Sequence, residues 1–238
     1  MRYSRRMIDA RRIRAITLDL DDTLWPVWPT IQRADQALRD WLGPRAPRAA
    51  ALAADAQAAA QARRAVLLAR PELAHDLGAI RREAIRHLLR EAGDDPALAE
   101  PAFDVFYRER QRVTLFDDAR PALDFLAARY PLIALSNGNA DITQVGLAPY
   151  FQDAISAASA GVAKPDARIF HAAAQAAGVA ADAVLHVGDD AELDAAGARR
   201  AGMQVAWLNR GGVPWPDEHG QAPHLVLHDL AHLCSLLA

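Results

Sequence analysis

One stretch constrains this chain more than any other: Ile16-Thr17-Leu18-Asp19-Leu20-Asp21-Asp22-Thr23-Leu24, an apolar run that ends abruptly in three carboxylates. Clustered carboxylates repel one another and resist burial, so the run cannot continue into a core. The carboxyl end of a strand in an open α/β sheet is different, because it opens on the crevice where ligands bind. Extended backbone would point Asp19 and Asp21 to one side, with Leu20 opposite, and aim two carboxylates into one site. Such a pair needs a shared cation or proton, and a hard, oxygen-ligating ion such as Mg2+ meets that need. One carboxylate could then attack phosphorus while the other protonates the leaving oxygen and later deprotonates water. An isolated D-x-D could also be a solvated junction between strand and loop.

Short apolar runs closed by turn signals recur later and predict parallel strands at 132–135, 154–156, 184–187 and 204–208, with a weak one at 225–227; the first spans 14–18. Helical patterns at 120–129, 167–177 and 191–201 lie between them, the last two closed by Gly178 and Gly202. Roughly a hundred residues separate the first two strands, too many for one crossover. That segment is rich in Ala, Leu and Arg and predicts helices at 31–42, 48–69, 72–91 and 96–113, a small helical domain inserted after the first strand.

Three more polar clusters follow the predicted strands. Ser136-Asn137-Gly138 offers a hydroxyl, an amide and a backbone N–H to a phosphoryl oxygen, or else forms a capped turn. In Ala163-Lys164-Pro165-Asp166, proline restricts the backbone of Lys164 and could open a helix at its first position. The ammonium would then neutralise Asp19 and a transferring phosphoryl group. In His186-Val187-Gly188-Asp189-Asp190, Asp189 is the better metal ligand, Asp190 could merely complement a helix dipole, and Asp194 could orient the site from one turn on.

A net charge of -3 provides no field that would gather nucleic acid or acidic lipid. The lone Cys234, among Leu233, Leu236 and Leu237, is expected to be buried in a terminal helix. The opening MRYSRRMIDARRIR is basic but lacks the apolar stretch and cleavage site of a secretory signal, and no window is apolar enough to span a bilayer. A cytoplasmic protein, monomeric or homodimeric, is expected.

In order, Asp19-Leu20-Asp21-Asp22-Thr23, Ser136-Asn137, Lys164-Pro165 and Gly188-Asp189-Asp190 with Asp194 resemble the four motifs of the haloacid dehalogenase-like hydrolases, and the resemblance covers essentially the whole chain. It implies an α/β fold: a Rossmann-like parallel core (1–25 and 115–238) with an all-helical cap inserted after the first strand (26–114). It also implies Asp19 as nucleophile, Asp21 as acid and base, and Mg2+ held by the carboxylates of Asp19 and Asp189 and the backbone carbonyl of Asp21. Dehalogenases of this family lack the second acid, so Asp21 disfavours carbon–halogen cleavage; phosphonate hydrolysis uses a cap lysine, and 25–115 contains none. Finer resemblance around 13–25, 131–140 and 185–203 is to bacterial phosphatases of flavin mononucleotide and of the ribitylaminouracil phosphate of riboflavin synthesis. The implied substrate is a small phosphorylated metabolite; nucleoside monophosphates, sugar phosphates and a non-catalytic metabolite-binding regulator remain alternatives. Trp25 and Trp28, Arg81 and Arg82, and Tyr107 with Arg108 could touch substrate, a flat heteroaromatic stacking on an indole. Alternatively Trp28 and Tyr107 are cap core and the arginines a solvated helix face.

Overall fold

The computed structural model describes residues 8–238, so the first half of the basic start lies outside the described residues. The chain divides into two compact units, Met1–Pro26 with Thr114–Ala238, and Val27–Val113.

The first unit is built on a six-stranded sheet of order β3-β2-β1-β4-β5-β6, parallel throughout. Its strands are β1 (Ala15–Leu18), β2 (Leu132–Ser136), β3 (Asp153–Ser156), β4 (Val184–Gly188), β5 (Gln204–Leu208) and β6 (Leu225–Leu227). Every residue of β1, β2, β4 and β5 is buried, whereas the edge strands β3 and β6 are partly exposed. That is why the four inner strands read as unbroken apolar runs. Between β3 and β4 the chain crosses β1 and β2 and winds on the other way, which makes the carboxyl ends of β1 and β4 the switch point. On one face, Ala15, Ile133, Leu135, Val184 and Val205 pack with Ile169, Phe170 and Ala173 in one apolar cluster.

The second unit is all helical: α1 (Val27–Leu42), α2 (Pro47–Ala54), α3 (Ala56–Ala69), α4 (Leu77–Ala92) and α5 (Ala99–Arg110). Leu38, Leu42, Ile85, Leu89, Phe103 and Phe106 form its main core, and Ala62, Val66, Ala84 and Leu88 a smaller one. The single helix expected over 48–69 is in fact two. Asp55 breaks it with extended backbone, and its carboxylate caps α3 by accepting from the N–H groups of Gln57 and Ala58. Aspartate competes this well for helix starts because its side chain replaces the missing intrahelical partners.

The first unit contains α6 (Ala119–Ala127), α7 (Ala157–Ala160), α8 (Ala167–Ala176), α9 (Gly197–Arg200) and α10 (Leu230–Leu237). Pro165 does not open α8: Asp166 is the N-cap, and its carboxylate accepts from the N–H of Arg168. The helix expected over 191–201 begins as a π-helical turn, Ala191–Ala196, in which the Asp190 carbonyl accepts from both Asp194 and Ala195. Cys234 is half-buried rather than buried, beside the fully covered Leu230 and Leu233 of α10. Among the described residues no helix is long and apolar enough to cross a membrane.

Candidate active site

Asp19 follows β1, and its N–H still pairs with the Val187 carbonyl at 2.9 Å, so the strand register places it beside the end of β4. Asp19 is 6% exposed and Asp194 1%. Between them lies the ammonium of Lys164, 2.6 Å from Asp19 Oδ1 and 2.5 Å from Asp194 Oδ1, itself 4% exposed. Oxygens of Asp19, Asp189 and Asp194 all lie within 4.8 Å of one another.

Each member is held in place. The carboxamide of Asn137 accepts from the N–H of Lys164 at 2.7 Å and donates to its carbonyl at 3.0 Å, clamping the lysine backbone. Ser136 Oγ accepts from the N–H of Gly138. Asp189 accepts from the hydroxyl of Thr23 at 3.1 Å, and its carbonyl accepts from the indole of Trp207 at 2.7 Å. Asp194 accepts from the Asp190 N–H at 3.0 Å and bonds His186 Nε2 at 3.1 Å. His186 Nδ1 in turn meets the hydroxyl of Thr17 at 2.8 Å, so Thr17 donates and the neutral ring presents its Nε2 proton to Asp194. Gly188 is required here: a Cβ on it would stand 2.3 Å from Asp194 Cγ.

The electrostatics show which charges are compensated. Burial opposes the ammonium of Lys164, but Asp19 and Asp194 outweigh it and hold its pKa above the usual lysine range. Burial likewise opposes ionisation of Asp194, yet Lys164 and His186 keep it well below the ordinary carboxylate range. Burial keeps His186 neutral. Asp19 is raised, by burial first and by Asp194 and Asp189 next, and Asp189 is pushed up to about 7 by burial and then by Asp194. Three carboxylates against one ammonium leave excess negative charge in a buried place, which a cation would relieve. The donors are all carboxylate oxygens, with no thiolate or imidazole in the group, so the set fits a hard ion such as Mg2+ better than zinc.

Several expectations need revision. Strand geometry stops at Leu18, and Asp22 takes a positive φ of 55°, so alternation does not carry Asp21 beside Asp19. The Asp21 carboxylate lies outside the three-carboxylate group and accepts from the indole N–H of Trp25 at 2.8 Å. Trp25 is fully buried and has no face to offer a heteroaromatic ring. The Asn137 amide holds the backbone of Lys164 instead of pointing its donors at a ligand, and Gly138 N–H closes on Ser136. Asp190 is an N-cap, accepting from the N–H groups of Glu192 and Leu193. In the helical unit, Trp28 is 68% exposed and therefore not core. Arg81 pairs with Asp35 at 2.6 Å and lies 3.9 Å over the ring of Phe106; Arg82 lies over Phe103, on which Tyr107 also stacks. Both arginines therefore belong to the helical unit's own packing.

Sequence reasoning assigned no role to Thr17, His186, Trp207 or Arg210. The first two carried a signal: they are polar residues within apolar strands, and the β1–β4 register sets them side by side. Arg210 donates two hydrogen bonds to the carboxylate of Asp118, each at 3.0 Å, and one to the carbonyl of Thr23, tying the segment after β5 to the acidic turn.

The model of the haloacid dehalogenase-like hydrolases matches residues 13–202. The chain belongs to that family. It is 33% identical over 232 residues to the 5-amino-6-(5-phospho-D-ribitylamino)uracil phosphatase YigB of Escherichia coli, covering 95% of this chain and 97% of that one. It is 35% identical over 159 residues to a phosphoserine phosphatase of Thermus thermophilus, covering 64% and 63%. A crystal structure of a 2-haloacid dehalogenase from Pseudomonas syringae pv. Tomato superposes with a TM-score of 0.88 at 38% identity, over 94% of this chain and 98% of the other. This haloacid dehalogenase-like hydrolase thus has both phosphatases and a dehalogenase among its relatives.

Proposed function

We propose that the chain is a Mg2+-dependent phosphatase that hydrolyses a small phosphate monoester through an aspartyl-phosphate on Asp19. The observation that carries this reading is the placement of Lys164 on Asp19 beside two further carboxylates, with Asp21 two residues away. A halide leaves without a proton, whereas an alkoxide needs one, so a second acid at Asp21 is of use to a phosphatase and idle in a dehalogenase.

In the first half-reaction an Asp19 oxygen attacks phosphorus, and the bond to the leaving oxygen breaks as Asp21 gives that oxygen its proton. Lys164 and the hydroxyl of Ser136 balance the phosphoryl charge. In the second, Asp21 removes a proton from water, the water oxygen attacks the same phosphorus, and the phosphorus–Asp19 bond breaks to release phosphate. Mg2+, held by the carboxylates of Asp19 and Asp189 and the backbone carbonyl of Asp21, would neutralise charge gathering on the phosphoryl oxygens. Asp194, kept ionised by Lys164 and His186, holds the lysine in position.

The helical unit acts as the cap that selects the leaving portion. Similarity to YigB over nearly the whole of both chains favours a ribitylaminouracil phosphate, with flavin mononucleotide beside it; a nucleoside monophosphate or sugar phosphate is the alternative. We take the enzyme to work in the cytoplasm, as a monomer or homodimer, without nucleic acid or membrane partners. The test is phosphate release from these esters and phosphoserine, with and without Mg2+, alongside chloride release from 2-chloropropionate. Release of phosphate that requires both Mg2+ and Asp19 is the expected result. Chloride release with no phosphate release overturns it, and silence in both assays moves the reading to a metabolite-binding regulator.

A further inference from the structure

The turn after Asp19 is closed twice over by one residue. Asp22 N–H donates to the Trp25 carbonyl at 2.8 Å, in the left-handed conformation that returns the chain on itself. The side chain of Trp25 returns to the same turn, its indole N–H donating to Asp21 Oδ1 at 2.8 Å. Trp25 is among the largest fully buried side chains of the chain, at 0% exposure. An indole nitrogen is a donor only and demands a partner when buried, and here that partner is a carboxylate four residues earlier. Asp21 is half-buried, and the indole bond restrains the torsions of its short side chain.

We infer that Trp25 is a positioning residue that fixes the carboxyl group of Asp21 for proton transfer to the leaving oxygen. With the indole hydrogen lying on Oδ1, the transferable proton sits on Oδ2; it passes to the leaving oxygen as that oxygen parts from phosphorus, while the indole keeps its own proton throughout. The inference rests on the phosphatase reading, in which Asp21 is the acid. It replaces the expectation that Trp25 stacks on substrate, and it explains why an aromatic donor follows the acidic motif while being wholly shielded from ligand.

The experiment is a leaving-group series: kcat/KM, which reports formation of the phosphoenzyme, for an alkyl phosphate, phenyl phosphate and 2,4-dinitrophenyl phosphate. The dinitrophenolate leaves without a proton, so only the poorer leaving groups depend on the acid. Asp21→Asn should lose about a hundredfold or more on the alkyl ester and little on the dinitrophenyl ester. Trp25→Phe, which keeps the ring and removes the N–H, should show the same pattern at smaller size, about tenfold to a hundredfold on the alkyl ester and within twofold on the dinitrophenyl ester. Benzothienylalanine at position 25, with sulfur in place of the N–H at nearly unchanged volume, should reproduce it if the Phe variant folds poorly. Equal losses across the series, or none, with Asp21→Asn still leaving-group dependent, would overturn the role of Trp25 alone. If Asp21→Asn itself shows no dependence on the leaving group, the acid assignment falls and takes the inference with it.

Discussion

Both units of the chain are laced with ion pairs, exposed arginine pairs among them, but among the described residues the pairs that are almost fully buried lie in the sheet unit. In the helical unit the arginine pairs are at the surface or half-buried beneath it: Arg81 with Asp35 leaves the two side chains 21% and 32% exposed, and Arg33 with Glu109 leaves 43% and 21%. In the sheet unit, Lys164, Asp19 and Asp194 are 3%, 9% and 2% exposed. Lys164 is also the only lysine in the chain; every other one of the 27 basic residues is arginine. A compact ammonium fits between two carboxylates where a flat guanidinium does not. Exposed pairs contribute little to stability, and buried ones are costly to assemble and costly to break. Charge placed where folding alone disfavours it points to function, and charge along a helix face points to solubility and packing.

The largest effect expected is on Asp19. Asp19→Asn should lower phosphate release by about ten-thousand-fold or more, because an amide cannot form the acyl-phosphate; retention of even a tenth of the activity would remove the distinction drawn between the two units. Next comes the lysine. Lys164→Met strands two buried carboxylates and should destabilise the protein by about 3–5 kcal/mol in urea denaturation without metal. Lys164→Arg should fare little better, and a neutral result would mean that the buried charges are not coupled.

A third test uses pH. Asp189 is raised to about 7 in the folded protein, above the unfolded carboxylate value near 4. The folded state therefore keeps a proton that the unfolded chain has already lost, and metal-free stability should fall as pH rises through that interval, by about 2–4 kcal/mol in all. Saturating Mg2+ should reverse the loss, and Asp189→Asn should flatten the slope, leaving only the part that Asp19 contributes, and remove the metal response in thermal denaturation. A metal-free melting temperature that does not change between pH 4 and 7 would show that this carboxylate is compensated within the protein. The smallest effect belongs to the helical unit: Arg81→Ala, which removes a half-buried pair and a contact over Phe106, should cost about 1–2 kcal/mol and leave the leaving-group dependence of kcat/KM unchanged. A loss several times larger would mean that this unit too depends on buried charge.

Much of this molecule was legible in the order of its residues. The parallel sheet was readable because its inner strands are buried on both faces and so carry continuous apolar runs, and the acids stand out because they interrupt such runs at their ends. The helices of the inserted unit were readable from alanine-rich composition, except where Asp55 divides one of them, since a capping aspartate and an ordinary surface aspartate look alike in sequence.

Partnership was not legible. Lys164 and Asp19 are 145 positions apart, Lys164 and Asn137 are 27, and Thr17 and His186 are 169. Trp25 lies only four residues from Asp21, but a tight positive-φ turn decides that the indole serves the acid instead of the substrate. The sequence by itself determined which chemical groups stand at the ends of which strands, because strand hydrophobicity and turn residues act locally. The tertiary structure alone decided what each group holds, because hydrogen-bond partners are chosen by sheet register and burial, and those couple residues that local pattern cannot relate.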